Sequence, residues 1–555
     1  MASPFRTLLL LGSAALGTSS FAQEGQVHGN FSADGQLYND DTDIGAEAPP
    51  QTFALNSWMN LQFTKGPFSA GGRFEVYQPA LLGYPAGSPY KGSGVGYRYA
   101  SYSLADLDVT IGNFYEQFGQ GLIFRSYEER YLGVDNAMDG VRVKYKPYRG
   151  VYLKGFAGQQ RGSFDNGLVN GTGILRGFDA EVSLNELLDS LWTHKWNLIV
   201  GGSFVSKYQQ DQDPLYVIPE NVGAYSGRLN LVSSKWNIYT EYAYKVNDPN
   251  SKNGYIYKPG QAYMVNATYS TKGLGISAGT HAFDNMFFQS RYAAPSPFDL
   301  NVNFLPPLAK QHTYNLPATL YPYATQPNGE IAHQAEVFYK FKKGSALGGK
   351  YGTKIAVNYS VAYGLDSTRM SFVTDSTRTG YRTNDFFGAL KGERQYFSDF
   401  NVELRKKVSE KWELALTYIN LVYDIEVIQG KAGKPVIFGD MFILEGLHSF
   451  NDRNSLRFEA QHLSTKQDLG NWATAVAEFT FSPHWFLAAQ DQYNYGGSVK
   501  VDELHYPIGS VGYIRGGNRF QFNYGRQRAG IFCVGGVCRQ VPAANGLTVS
   551  VTSTF

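Results

Sequence analysis

Long runs in which apolar and polar residues alternate come in pairs along this chain, and each pair is joined by a very short turn. The turns are TKGPF (64–68), LADLD (104–108), KPYRG (146–150), VSSK (232–235), TKGLG (271–275), VSEK (408–411), NDRN (451–454), SPH (482–484) and RGGN (515–518). LLDSLWTHK (187–195) and KKGSALGGK (342–350) are slightly longer versions. Successive side chains of a strand point to opposite faces, so a period of two marks strands that are apolar on one face only. Between the pairs the connections are long, polar and rich in Gly, Pro and Asp. Short turns at one end and long loops at the other are the asymmetry of a bacterial outer-membrane β-barrel.

Eleven such hairpins, with one strand before them (from Gln26) and one after, predict an all-β chain: a large transmembrane antiparallel barrel of about 24 strands, range 22–26. An even number places both chain ends on the periplasmic side, with the short turns. At about ten residues per strand the wall uses roughly 240 residues, leaving roughly 290 for turns and loops. The last segment, LTVSVTSTF, puts Leu547, Val549, Val551 and Phe555 on one face and Thr548, Ser550, Thr552 and Thr554 on the other. Ahead of the barrel, MASPFRTLLLLGSAALGTSSFAQ carries Arg6, a short apolar core and a small-residue site, which predicts a signal peptide over 1–22 and a single barrel domain over 23–555.

Tryptophan placement ties this wall to a membrane. Trp196, Trp236, Trp412 and Trp485 each follow a short turn, in HKWN, SKWN, EKWE and PHWF. An indole has an apolar body and one N–H and prefers the membrane–water interface, so the four read as an aromatic girdle in contact with outer-membrane lipid. The 40 Tyr, 37 Phe and 61 Gly, with only 17% charged residues, fit the same picture. A net charge of +2 offers no nucleic-acid footprint.

Taking the tryptophans as outward assigns the opposite face to the lumen. The alternation then turns inward Arg73 and Glu75, Arg142 and Lys144, Glu241 and Lys245, Glu336 and Lys340, Glu403 and Arg405, and Arg457 and Glu459. Both signs occur, which predicts a wet, ion-paired lumen without single-sign selectivity.

A barrel this wide would leave a hole, and too few residues precede the first strand for a separate plug domain. Loops 118–138, 284–329 and 366–395 are long enough to obstruct it. The first lies in GNFYEQFGQGLIFRSYEERYLGVDNAMDGVRVKY (112–145), where Gly119 and Gly121 break a strand. It carries the charges Arg125, Glu128, Glu129 and Arg130, and Gly140 starts the returning strand. Those four charges either constrict a pore or pin the loop to wall charges such as Arg142 and Lys144, and both roles are compatible. Asp135 and Asp139 read as turn caps. The seven-proline loop 284–329 reads as a lid, a plug or an external cap.

In IFCVGGVCRQ a Gly535-Gly536 turn sets Cys533 opposite Cys538, close enough for a disulfide in an exported chain. No HExxH or CxxC signature occurs and the histidines are scattered, so neither enzyme chemistry, nor a metal, nor a cofactor is expected.

Over nearly its whole length the chain resembles a family of uncharacterised outer-membrane β-barrel proteins from Bacteroidota. GNFYEQFGQGLIFRSYEERYLGVDNAMDGV, GGVCRQVPA and the terminal phenylalanine carry that resemblance. More loosely, the strand–Gly–Arg–loop–DGV plan at 112–143 is similar to alginate-export-type porins. The resemblance implies location and fold. The residues point to an outer-membrane channel or transporter for an unidentified solute. The second expectation is a non-conducting scaffold that docks a periplasmic or surface lipoprotein.

Overall fold

The computed structural model describes residues 25–555 except 86, 88, 190–194, 295–298, 372–377, 389 and 535–536, and leaves out the side chains of 532–539. The expected signal peptide thus lies outside the described residues. Twenty-five strand segments form one closed sheet. Leu504–His505 and Ile508–Arg515 pair with the same neighbour, Trp485–Gly496, so the wall has 24 strands. Closure comes from Gln26–Asn39, which pairs antiparallel with Phe53–Lys65 on one side and with the last strand, Ala544–Thr554, on the other. Each of the eleven predicted hairpins joins neighbouring strands at one end. The chain end lies there too, with the Gly29 N–H donating to Phe555 O at 2.8 Å.

Pleating explains the two faces. Along Trp236–Lys245, Trp236, Tyr242 and Tyr244 are exposed while Glu241, Ala243 and Lys245 are buried. Trp196, Trp236, Trp412 and Trp485 are all exposed, each at the short-turn end of its strand. Phe438, Phe442, Phe520, Phe522 and Tyr524 extend this apolar exterior, a surface suited to lipid.

Three expectations need correction. The loop end is not uniformly long-looped: Asn166-Gly167 is a two-residue turn between Val151–Asp165 and Leu168–Ser183, with both residues at positive φ. The lumen is not uniformly wet either. Inward positions toward the loop end are apolar and build two dry clusters, one around Phe156, Leu175, Val205 and Phe283, the other around Ile419, Leu421, Met441 and Leu463. Finally, the loop between Tyr363 and Gln395 folds over the outside of the wall. Its Phe386 and Phe387 rest on the outward rings of Tyr263 and Tyr242, so this part of the loop lies on the lipid side of the wall and not in the lumen.

Candidate functional site

Strand Leu107–Phe114 is short, and the wall resumes only at Met138. Between them Gly119 and Gly121, both at positive φ, reverse the backbone. A Cβ on Gly119 would stand 2.6 Å from the Glu241 carboxylate, so a larger residue would have to displace that carboxylate and hold a φ of +51°. The Gln120 N–H donates to Glu241 Oε2 at 2.9 Å. Phe118, Leu122, Ile123 and Phe124 are fully buried against inward wall residues, and Phe124 stacks on Phe156 with centroids 4.2 Å apart.

The second segment, 285–328, is closed at its neck by the Met286 N–H donating to Pro327 O at 2.8 Å. Lys245 Nζ donates to Phe287 O, and Lys207 Nζ to Gln289 O at 2.9 Å, with Asp248 between the two ammonium groups. Its outer part holds a short helix, Asn315–Leu320, whose Leu316 N–H donates to Gln461 Oε1 at 2.9 Å. His312 Nε2 lies 2.6 Å from Asp399 Oδ2. The two segments also bond to each other. The Arg125 N–H donates to Val302 O at 2.8 Å, the Phe304 N–H to Gly121 O at 2.9 Å, and Asn136 Nδ2 to Asn301 O at 2.9 Å.

Charge holds the first segment to the wall. Arg161 forms a bidentate pair with Glu75, both contacts at 2.7 Å, and Arg73 Nε reaches Glu75 Oε1 at 2.7 Å. Asp135 meets Arg161 at 3.0 Å, also contacts Arg73, and accepts from the Tyr115 hydroxyl at 2.9 Å. Glu128 bonds Arg73 at 3.0 Å and Arg130 at 2.9 Å, and Arg130 donates to Ser32 Oγ at 3.3 Å. Three cations thus face three carboxylates, mostly out of water. Burial alone would raise the Asp135 carboxyl, but Arg161 and Arg73 hold it below the usual carboxylate range.

The four charges singled out in this loop separate into different roles. Glu128 and Arg130 enter the network. The Arg125 guanidinium stacks over Tyr127 at 4.4 Å and Phe304 at 4.1 Å. Glu129 is half-buried and its backbone pairs with Val134. Arg142 and Lys144 do not pin these charges. Arg142 binds Asp108 and Lys144 binds Glu116, each at 2.9 Å. Asp135 caps a turn as expected, accepting from the Ala137 N–H at 3.1 Å, and is also a member of the network. Arg161 was missed: it sits in GQQRG, where small and polar residues hide the alternation.

Farther round the wall, Arg405 contacts Glu403 at 3.2 Å and Glu445 at 3.2 Å, while Arg457 contacts Glu445 at 3.1 Å, Glu478 at 2.9 Å and also Glu459. Glu413 lies 3.6 Å from Arg405. Five carboxylates meet two guanidiniums here, and Lys354 and Lys340 follow Arg405 on the same face in register, so both signs line this part of the lumen. Cys533 and Cys538 are opposed in the backbone register, with their side chains outside the described residues. Among the described residues no group of three His, Cys, Asp or Glu is placed to hold a metal ion.

A family profile matches residues 2–555, almost the entire chain. The chain belongs to the family of unknown function DUF6029. No curated protein matches it. Among solved structures it is similar to the P pilus usher (PapC) translocation pore, with TM-score 0.43, 9% identity, 95% of this chain and 99% of that chain covered. It is also similar to the siderophore receptor PirA from Pseudomonas aeruginosa (TM-score 0.39, 11% identity, 96% and 80% covered). OpdQ, from the same organism, gives TM-score 0.33, 8% identity and 96% and 97% coverage. Resemblances at this level carry nothing about cargo, and the closed wall is established by its own strand register.

Proposed function

We propose that the protein is an outer-membrane channel or transporter whose lumen is narrowed by segments 115–137 and 285–328. The observation that carries this reading is their mutual bonding through Arg125–Val302 and Phe304–Gly121, with each segment also bonded to inward-facing wall residues. Porins of 16–18 strands already hold an aqueous channel, so 24 strands without an obstruction would leave an unselective hole. A polar lane supports passage beside the obstruction. Arg519 donates to Gln521 at 2.6 Å, Gln521 to Asn523 at 2.7 Å, and across the closing seam Ser550 donates to Asp34 at 2.6 Å. Such side chains exchange bonds with water or a passing solute without trapping either.

Planar-bilayer conductance of the purified protein tests the reading. Deleting residues 120–136 is expected to enlarge the single-channel steps several-fold. A barrel that stays closed after the deletion would sink the constriction.

One observation favours the scaffold reading as well. Phe387 and Leu390, on the loop lying over the outer wall, are 67% and 81% exposed, an apolar surface that a lipoprotein partner could cover. A partner retained in mild detergent by the native chain, and lost on Phe387→Ser with Leu390→Ser, would support it.

A further inference from the structure

Between the short helix Asn315–Leu320 and the inner wall lies a cavity of about 330 Å³, within the range of small-molecule pockets. Thr319 lines it from the helix, Gln490 from the wall strand Trp485–Gly496, Tyr131 from the first segment and Val541 from the end of Val537–Val541. Two arginines, Arg526 and Arg528, line it as well, and among the described residues no carboxylate does. The side chains of 532–539 nearby include neither Asp nor Glu.

The two arginines differ in what balances them. Arg526 Nε meets Asp41 at 2.7 Å and its Nη2 meets Asp43 at 2.8 Å. Arg528 Nη1 donates to Ala529 O at 2.9 Å, and Nη2 to Thr319 O at 3.0 Å and Thr319 Oγ1 at 3.1 Å, all of them neutral acceptors. Its guanidinium lies over the Trp472 ring at 5.4 Å, and no carboxylate among the described residues is within ion-pair distance of it. Asp468 acts on it only at longer range and accepts from the Tyr321 hydroxyl at 3.3 Å. By contrast Arg73, Arg161, Arg228, Arg405 and Arg457 on the inner wall all meet carboxylates. A half-buried cation without a counter-ion is an incomplete arrangement, since charges withdrawn from water are normally paired.

We propose that this cavity binds a small organic monoanion with an apolar body. Arg526 is already balanced, so the one charge left over is that of Arg528, and a single anionic group completes it. Ile508 and Ile531 offer apolar surface to the rest of the ligand, and Gln490 adds an amide donor. A neutral ligand would leave the guanidinium unbalanced, and a cation would be repelled by it. Tyr131 and Thr319 belong to the two inserted segments, so the ligand sits where both meet the wall. The site stands whether or not the barrel conducts.

Saturation-transfer NMR with benzoate on the full chain in detergent, read against protein-free micelles, tests the site. Transfer to the ring protons is expected in the native protein, with affinity weakened about tenfold or more by Arg528→Gln and partly restored in Arg528→Lys, which keeps the charge. Heat-modifiable gel mobility verifies that both variants are folded barrels. No transfer to the native protein, or transfer unchanged in Arg528→Gln, would overturn the site. A loss in Arg528→Lys as complete as in Arg528→Gln would overturn the claim that charge selects the ligand. So would displacement of benzoate by benzamide or benzylammonium at equal concentration. None of these readouts depends on conductance, so their failure overturns the site and leaves the channel reading standing.

Discussion

The tripeptide Arg-Phe-Glu occurs twice in the wall, at 73–75 and at 457–459, with the charged pair inward each time. At 73–75 the side chains are 4% and 0% exposed; at 457–459 they are 32% and 5% exposed. The local pleat is the same. The difference is that segment 115–137 brings Asp135 and Glu128 onto the first pair, whereas Arg457 spreads its bonds over neighbouring wall carboxylates. Strand periodicity decides which way a charge points. Whether it keeps its water depends on what the chain lays over it.

The strongest way to break this comparison is to remove one cation from each place. Arg161→Met strands Glu75 and Asp135 away from water and is expected to cost about 3–5 kcal/mol. Denaturant midpoints would show it, together with enlarged conductance steps as segment 115–137 loosens. Arg457→Met should cost less than Arg161→Met, since Arg457 is itself 32% exposed, Glu478 is 45% exposed and Glu445 keeps Arg405, which leaves only Glu459 buried without its cation. Equal losses would show that the covering segment does not matter.

Acid offers a gentler test. The folded pKa of Asp135 lies below its unfolded value, so its contribution is complete above about pH 4 and is lost as pH falls through the depressed folded value. Channel steps should therefore grow only in that acid range, and Asp135→Asn should bring the enlarged steps to neutral pH. A native channel that already opens between pH 7 and 5 would assign the response to other groups.

The smallest expected effect belongs to the open region. Glu445→Gln with Glu478→Gln removes two carboxylates from this mixed-sign wall and should shift the cation-to-anion preference modestly toward anions in reversal-potential measurements. The change should fade above about 0.15 M salt, where the screening length is about 8 Å. A preference indifferent to both the substitutions and salt would place the selectivity elsewhere.

Most of the wall was legible because its causes are local. The eleven turns, the alternation and the tryptophans after the turns depend on neighbours within a few residues, and they yielded 24 strands before any coordinate. Gly119 and Gly121 likewise marked where the first segment leaves the wall. Arg161 was not legible, because its importance comes from Glu75, 86 positions away, and from Asp135. Nor was the outward course of the loop carrying Phe386 and Phe387, whose composition resembles that of a loop that could have entered the lumen.

By itself the sequence determined a closed barrel and the face to which each wall residue points, since a period of two and a short turn act between adjacent residues. Only the tertiary structure decided that the inner face toward the loops is dry, that one Arg-Phe-Glu is covered at both charges and the other only at its carboxylate, and that Arg161 closes onto Glu75 and Asp135. Each of these depends on where segments distant along the chain come to rest, and loop length and composition do not specify that.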